Sequence, residues 1–236
     1  MKAAIIVFPG SNCELDTYHV LKNVIKDDVS LIWHTHAKSL DEFDYIILPG
    51  GFSYGDHLRA GVIAAYSPIM KEVKRQAKEG KLILGICNGF QILVEAKLLE
   101  GALLRNSSLR FICKWVNLKV ENNNTPFTKR IKIPSIRLPI AHNEGRYYVD
   151  EDTLSYMNKR GRIIFRYCDD KGEVSEKSNP NGSIQNIAGV SNYEGNILGL
   201  MPHPERASEK ILSPYKTDHG KLIFESMRWW LRNGNS

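Results

Sequence analysis

The stretch Leu82-Ile83-Leu84-Gly85-Ile86-Cys87-Asn88-Gly89-Phe90-Gln91 changes its period in the middle. Leu82 to Ile86 are apolar without alternation, the pattern of a strand buried on both faces, while Gly89 to Lys97 carries its apolar residues at helical spacing. A strand passing directly into a helix is half of a βαβ unit and predicts a parallel sheet covered by helices. The same texture recurs outward from this point. Ala3–Phe8, Val29–His34 and Tyr45–Leu48 read as further buried strands, and Leu15–Lys26 and Pro68–Glu79 read as the helices between them. After Gly101 the pattern turns to alternation: Phe111–Val120, Ile131–Ile140, Arg162–Cys168 and Ile184–Asn192 are predicted antiparallel strands separated by Asn-, Gly- and Pro-rich turns. Ile197–Leu200 and a closing helix from about Asp218 to Arg232 return to the first pattern, with Leu222, Ile223, Met227, Trp230 and Leu231 at core-like spacing. No linker, repeat or low-complexity tract divides the chain, so residues 1–236 are expected to form a single domain: an α/β open sheet with an antiparallel insert.

Composition bounds what such a domain does. The 236 residues are 42% apolar and 25% charged, and 32 Lys and Arg against 26 Asp and Glu leave a net charge of +6. The basic residues are scattered, without the patch or motif of a nucleic-acid reader. The longest apolar runs fall far short of the roughly 18 residues that span a bilayer. Ala3–Phe8 follows a lysine, as a signal peptide would, but is too short and leads to Pro9-Gly10 without a cleavage site. Cys13, Cys87, Cys113 and Cys168 are widely spaced, which predicts free thiols, a cytoplasmic protein and no structural zinc.

In open parallel sheets ligands bind beyond the carboxyl ends of the strands, which directs attention to the loops after Phe8, Leu48, Ile86 and Leu200. Cys87 stands at a strand-to-helix junction with Gly85 and Gly89 two residues away on either side, the arrangement of a nucleophile elbow. A helix N-terminus favours thiolate, and the Asn88 N–H points where an oxyanion would form. Cys13 also follows a strand but lacks the flanking glycines. His34 and His36 form an H-x-H pair without a third ligand nearby. For a base, His203 lies in Leu200-Met-Pro-His-Pro-Glu-Arg206, where Pro204 is expected to hold His203 extended and set Glu205 on the same side. His142 and Glu144 repeat this spacing, so spacing alone leaves the choice open; that pair is expected to lie in the insert, away from the strand ends. The loop Leu48-Pro-Gly-Gly-Phe-Ser-Tyr-Gly-Asp-His-Leu-Arg-Ala-Gly61 lacks any nucleotide fingerprint, and Gly51 is the expected second oxyanion donor.

Taken together, Gly85-x-Cys87-x-Gly89-x-Gln91, the Pro-Gly-Gly turn ending at Gly51, and His203-Pro-Glu205 resemble the class I, triad-type glutamine amidotransferases. The resemblance implies a flavodoxin-like open sheet. Phe8-Pro-Gly-Ser-Asn-Cys13, Gly50-Gly-Phe-Ser-Tyr-Gly-Asp56 and Gly199-Leu-Met-Pro-His-Pro-Glu-Arg206 narrow the likeness to glutaminase subunits serving the formylglycinamidine ribonucleotide step of de novo purine synthesis. From the family follow a Cys87, His203, Glu205 triad and an oxyanion site at Gly51 and Asn88. Gln91, Ser107 and Phe111 are the implied glutamine-binding residues. No cofactor or metal is expected in this chain, with ATP and magnesium on a separate synthetase subunit and a small third subunit beside it. His57 and Asn143 depart from the family, which carries an aromatic and a glycine there. Two competing readings are an intracellular cysteine peptidase, against which Gln91 and Pro202 to Glu205 speak, and a binding module in which Cys87 is inert.

Overall fold

The computed structural model describes residues 1–35 and 39–234. In chain order the strands are β1 (Lys2–Val7), β2 (Asp28–Trp33), β3 (Tyr45–Leu48), β4 (Leu82–Ile86), β5 (Ala102–Leu104), β6 (Ile112–Val120), β7 (Ser135–His142), β8 (Arg146–Tyr148), β9 (Ile163–Cys168), β10 (Ile187–Ser191) and β11 (Ile197–Leu200). The helices are α1 (Glu14–His19), α2 (Val62–Ala65), α3 (Ile69–Lys78), α4 (Asn88–Glu95), α5 (Glu151–Lys159) and α6 (Lys221–Asn233).

Nine strands form one sheet in the order β2-β1-β3-β4-β11-β10-β9-β6-β7, and β5 pairs with β8 separately. The first five are mutually parallel. Renumbered among themselves they run 2-1-3-4-5, the flavodoxin order. β10, β9, β6 and β7 continue the same sheet antiparallel, as the alternation after Gly101 predicts. β3, β4 and β11 are buried along their whole length and Ala3–Ile6 are sealed from solvent, which is why these runs lack alternation. β7 instead alternates half-buried and buried residues, with one face on the core.

Several segments differ from their sequence reading; the strand expected from Ile184 begins at Ile187 after a 3-10 turn, and the closing helix begins at Lys221. The first helix is α-helical only to His19, then widens to a π-helical turn over Val20–Val24 and closes near Lys26, whose φ is +65°. The strand expected from Ile131 begins at Ser135; Phe127 and Ile131 are buried all the same, because the loop before β7 folds them into the core while leaving Ile133 exposed. In α6 the buried side chains are Ile223, Phe224, Ser226 and Met227, and Leu222, Trp230 and Leu231 rest half-covered at the rim of the core. Among the described residues no helix is long and apolar enough to cross a membrane.

Candidate active site

At the carboxyl end of β4 the chain turns sharply. Cys87 has φ +50° and ψ −104°, a left-handed conformation that costs a non-glycine residue about 1–3 kcal/mol and is held by its surroundings. Its N–H donates to Leu200 O at the end of β11 (2.8 Å), and Gln91 N–H donates back to Cys87 O (3.1 Å). The flanking glycines permit the turn. A Cβ on Gly89 would stand 1.9 Å from the Leu48 carbonyl oxygen, and one on Gly85 would stand 2.5 Å from Leu93 and 2.7 Å from Gly89 O. Helix α4 therefore starts in direct backbone contact with β3. Asn88, its first residue, has an N–H with no intrahelical acceptor.

The loops after β1 and β3 are bound to each other. Asn12 and Cys13 N–H groups approach Gly50 O at 3.4 and 3.2 Å, Phe52 N–H donates to Gly10 O, and Ser11 and Gly51 form an isolated bridge. Gly51, with φ +149°, lies so close that a Cβ would be 2.7 Å from Ser11 Cα. The Asn88 side chain ties this assembly to α4: its Oδ1 accepts from Ser53 N–H (3.2 Å) and its Nδ2 donates to Gln91 Oε1 (2.8 Å). Gln91 in turn donates from Nε2 to Glu144 O (2.7 Å).

His203 enters from the fourth loop. Its backbone N–H donates to Pro139 O of β7 (2.8 Å), and its Nδ1 lies 2.6 Å from Glu205 Oε1. The carboxylate can only accept, so Nδ1 carries the proton and Nε2 is left to act. Both side chains are buried, and Nε2 has no hydrogen-bond partner among the described residues. Burial opposes a charge on this imidazole, but the Glu205 carboxylate and the neighbouring Cys87 outweigh it and raise its proton affinity well above the usual value. The pair does not meet along an extended run as its spacing suggests. Pro204 is helical (φ −65°, ψ −32°) and begins a 3-10 turn over Glu205–Ala207, braced by Gly220, whose backbone touches Pro204 O and bonds Ala207 O. His203 and Glu205 meet across that turn.

The second H-x-E pair lies elsewhere than expected. His142 ends β7, and the adjacent Ala141 O is 3.7 Å from Cys87 Sγ, so this segment is a wall of the same site. The misplacement has a plain cause: the insert continues the sheet, and its edge strand folds back beside β11's loop. His142 is nevertheless not poised as a base. Its Nδ1 meets Asn106 Oδ1 (3.1 Å) and its Nε2 faces Asn181 Nδ2 (3.5 Å). Since Asn106 Nδ2 donates to Arg110 O and His142 O, Oδ1 is the acceptor and His142 Nδ1 the donor. Burial and the charge on His203 lower His142 to about 3, so it is neutral. Asn181 also bonds Gly145 O and Ser183, and lies 3.4 Å from the buried Tyr167 hydroxyl. Asn106, Asn181, Ser183 and Tyr167 escaped the sequence reading. They are ordinary polar residues far apart in the chain, and no local pattern announces their convergence.

Phe111, half exposed, tilts against Phe52 at 6.3 Å between ring centres, which brings it to the rim beside Gly51. Ser107 packs instead on Gly182, with its N–H on Asn181 O. His57 is exposed, and Asn143 avoids positive φ, so neither departure strains the backbone. His34 follows β2 and contacts the Tyr54 hydroxyl (3.1 Å); His36 lies outside the described residues. Cys13 Sγ, a His203 ring nitrogen and a Glu205 oxygen lie within 4.8 Å of one another, close enough to hold a metal ion. However, the His203 Nδ1–Glu205 hydrogen bond occupies two of those ligands, and the Arg206 guanidinium stands 3.0 Å from the sulfur.

The family model of the CobB/CobQ-like glutamine amidotransferase domain matches residues 1–231. The chain is 55% identical over 228 residues to the phosphoribosylformylglycinamidine synthase subunit PurQ of Methanosarcina mazei, covering 96% of this chain and 97% of that one. It is 54% identical over 216 residues to the subunit of the same name from Aquifex aeolicus, covering 91% and 95%. Among solved structures, a chain of PurLQS from Thermotoga maritima superposes with a TM-score of 0.84 at 46% identity, covering 98% of both chains.

Proposed function

Because the chain belongs to the glutamine amidotransferase family, as a PurQ-type glutaminase subunit of phosphoribosylformylglycinamidine synthase, we propose that Cys87, His203 and Glu205 hydrolyse L-glutamine through a thioester. The observation that carries this reading is the buried His203–Glu205 hydrogen bond, which leaves an unpaired Nε2 beside a cysteine held in a strained elbow. His203 Nε2 takes the Cys87 proton as sulfur attacks the side-chain amide carbon. The oxyanion is met by the N–H groups of Gly51 and Asn88, each such donor worth about 3–4 kcal/mol in the transition state. As the C–N bond breaks, His203 returns the proton and ammonia leaves. The same imidazole then takes a proton from water, which attacks the thioester; glutamate departs and Cys87 regains its proton. Glu205 holds the tautomer and balances the imidazolium.

Gln91, Ser107 and Phe111 bind glutamine in this scheme, with Gln91 fixed by Asn88 and Glu144 and Phe111 at the rim. Ser107 is held for this contact by its N–H on Asn181 O and its packing on Gly182. Ammonia passes to a synthetase subunit that uses ATP and magnesium to convert formylglycinamide ribonucleotide to formylglycinamidine ribonucleotide, with a small third subunit in the complex. The whole chain acts as one cytoplasmic domain without a cofactor of its own. The likeness to a chain of PurLQS supports that assembly. The test is the reconstituted complex carrying Cys87→Ala: glutamine-dependent synthesis should vanish while synthesis from ammonium chloride persists. Loss of both would make Cys87 structural and overturn the reading.

A further inference from the structure

Cys13 is as buried as Cys87 and lies within the same assembly, yet the reaction just described does not use it. It stands where three loops meet. Its N–H approaches Gly50 O, and a Cβ placed on Gly50 would fall 3.0 Å from Cys13 Sγ and 2.8 Å from His203 Cε1. Its sulfur accepts from Arg206 Nη2 at 3.0 Å. The Nε of the same guanidinium lies 3.4 Å from Asp16 Oδ2 and 3.9 Å from Glu205 Oε1. Arg206 thus reaches from a half-exposed position, beside Asp16 and Trp115 in a surface cleft, to the back of the His203–Glu205 pair.

We propose that Arg206, seated on Cys13 and Asp16, is a positioning residue for the glutaminase reaction, the fixed counter-charge that keeps His203 Nε2 unprotonated for the base step. The inference rests on the triad reading above. Its physical basis is a count of charges. In the thioester form Cys87 is uncharged, and the groups facing His203 are Glu205 from its own turn, Cys13 from the start of α1 and His142 from β7, while Arg206 acts through Glu205, 3.9 Å from its Oε1. Burial pushes the Cys13 thiol up, and His142 is neutral, so neither contributes a charge, although the Cys13 hydrogen bond to His203 favours the protonated imidazole. Without Arg206 the imidazole faces a lone buried carboxylate, which holds His203 in the protonated state that cannot act as a base. With Arg206 present, part of that attraction is offset. Cys13 keeps the guanidinium directed inward at Glu205, where Asp16 alone would draw it toward solvent.

The experiment is the pH dependence of glutamate release by the complex with its synthetase partner. Arg206→Met should displace the acid limb of kcat upward by about half a pH unit or more, with a smaller change in the KM for glutamine. Arg206→Lys should restore the limb, and Arg206→Gln, polar but uncharged, should displace it in the same direction as Arg206→Met. Arg206→Met with a uniformly lowered kcat and an unmoved limb, or with no change, overturns the proposal. If Arg206→Met fails to assemble, seen as loss of ammonia-dependent synthesis, an unmoved limb in Arg206→Gln overturns it instead. Failure of the underlying reading is a separate result: His203→Ala would then retain glutamine hydrolysis.

Discussion

At the scale of single residues the site depends on which nitrogen of His203 is free. The 2.6 Å contact with Glu205 fixes the proton on Nδ1, and the turn at Pro204 fixes the ring. Glu205→Gln preserves the volume but removes the charge, and its amide can present the wrong group to Nδ1. Glutamine hydrolysis should fall about 10- to 100-fold, as for other outer partners of a functional imidazole. His203→Ala should cost more, about 100- to 10,000-fold or beyond. Both are read as steady-state glutamate release with thermal unfolding as the control for folding. An equal, small loss in both would return the role of base to His142, despite its two engaged nitrogens.

At the scale of elements, α4 is seated on β3 by backbone rather than by side chains. The Gly89 α-carbon rests against the Leu48 carbonyl, so Gly89→Ala forces a Cβ to within 1.9 Å of an oxygen that the sheet holds in place. Neither partner can yield without moving the start of the helix. Ordinary overpacking costs about 1–3 kcal/mol, and this substitution should reach or exceed the upper end in chemical denaturation. Any folded fraction should also lose glutaminase turnover, because Cys87 and Asn88 lie two and one residues before the displaced contact. A variant with native stability and native turnover would show that α4 can shift freely, against the packing described. Gly85→Ala offers the milder comparison, since part of its clash is with the movable end of Leu93.

At the scale of the whole molecule, the loop that follows Gly51 holds a strained backbone. Tyr54, Asp56 and Leu58 all have φ between +54° and +67°, and the Leu58 side chain is 93% exposed. Burial and the nearby Glu144 charge raise the Asp56 carboxyl to about 6, so an acidic pair is crowded at the same place. A loop that stores backbone strain and like charge, and exposes a leucine, gains by being covered. This loop also carries Gly51. The isolated subunit should therefore be a poor glutaminase, about 100- to 1,000-fold below the complex loaded with nucleotide, the cost of misplacing one oxyanion donor. Contact through Tyr54 to Arg59 and His142 to Arg146 would order it. Equal turnover numbers for glutamine in the free subunit and the loaded complex would refute this.

Much of this protein was legible from local pattern. Leu82–Ile86, Tyr45–Leu48 and Ile197–Leu200 are strands to the residue, because strands buried on both faces must be free of polar side chains throughout, and these end where Cys87, Pro49 and Met201 begin the following turns. The elbow at Cys87 was legible for a related reason: only small residues at 85 and 89 let helix and sheet close on each other, and that demand is written within five positions of chain. The π-helical turn after His19 and the late start of β7 were not, since both are decided by how distant segments share the core. The place of His142 was likewise hidden, because spacing is local while the path of the insert is not. Tertiary structure alone decided that β7 folds back to give Pro139 O to His203 and to set Ala141 O beside Cys87. It alone gathered Asn106, Asn181 and Tyr167 behind them and brought Cys13 to Arg206 across 193 positions. A sequence specifies its own elements through periodicity and sterics between near neighbours, whereas hydrogen bonds between remote loops exist only once the sheet has fixed the distance between them.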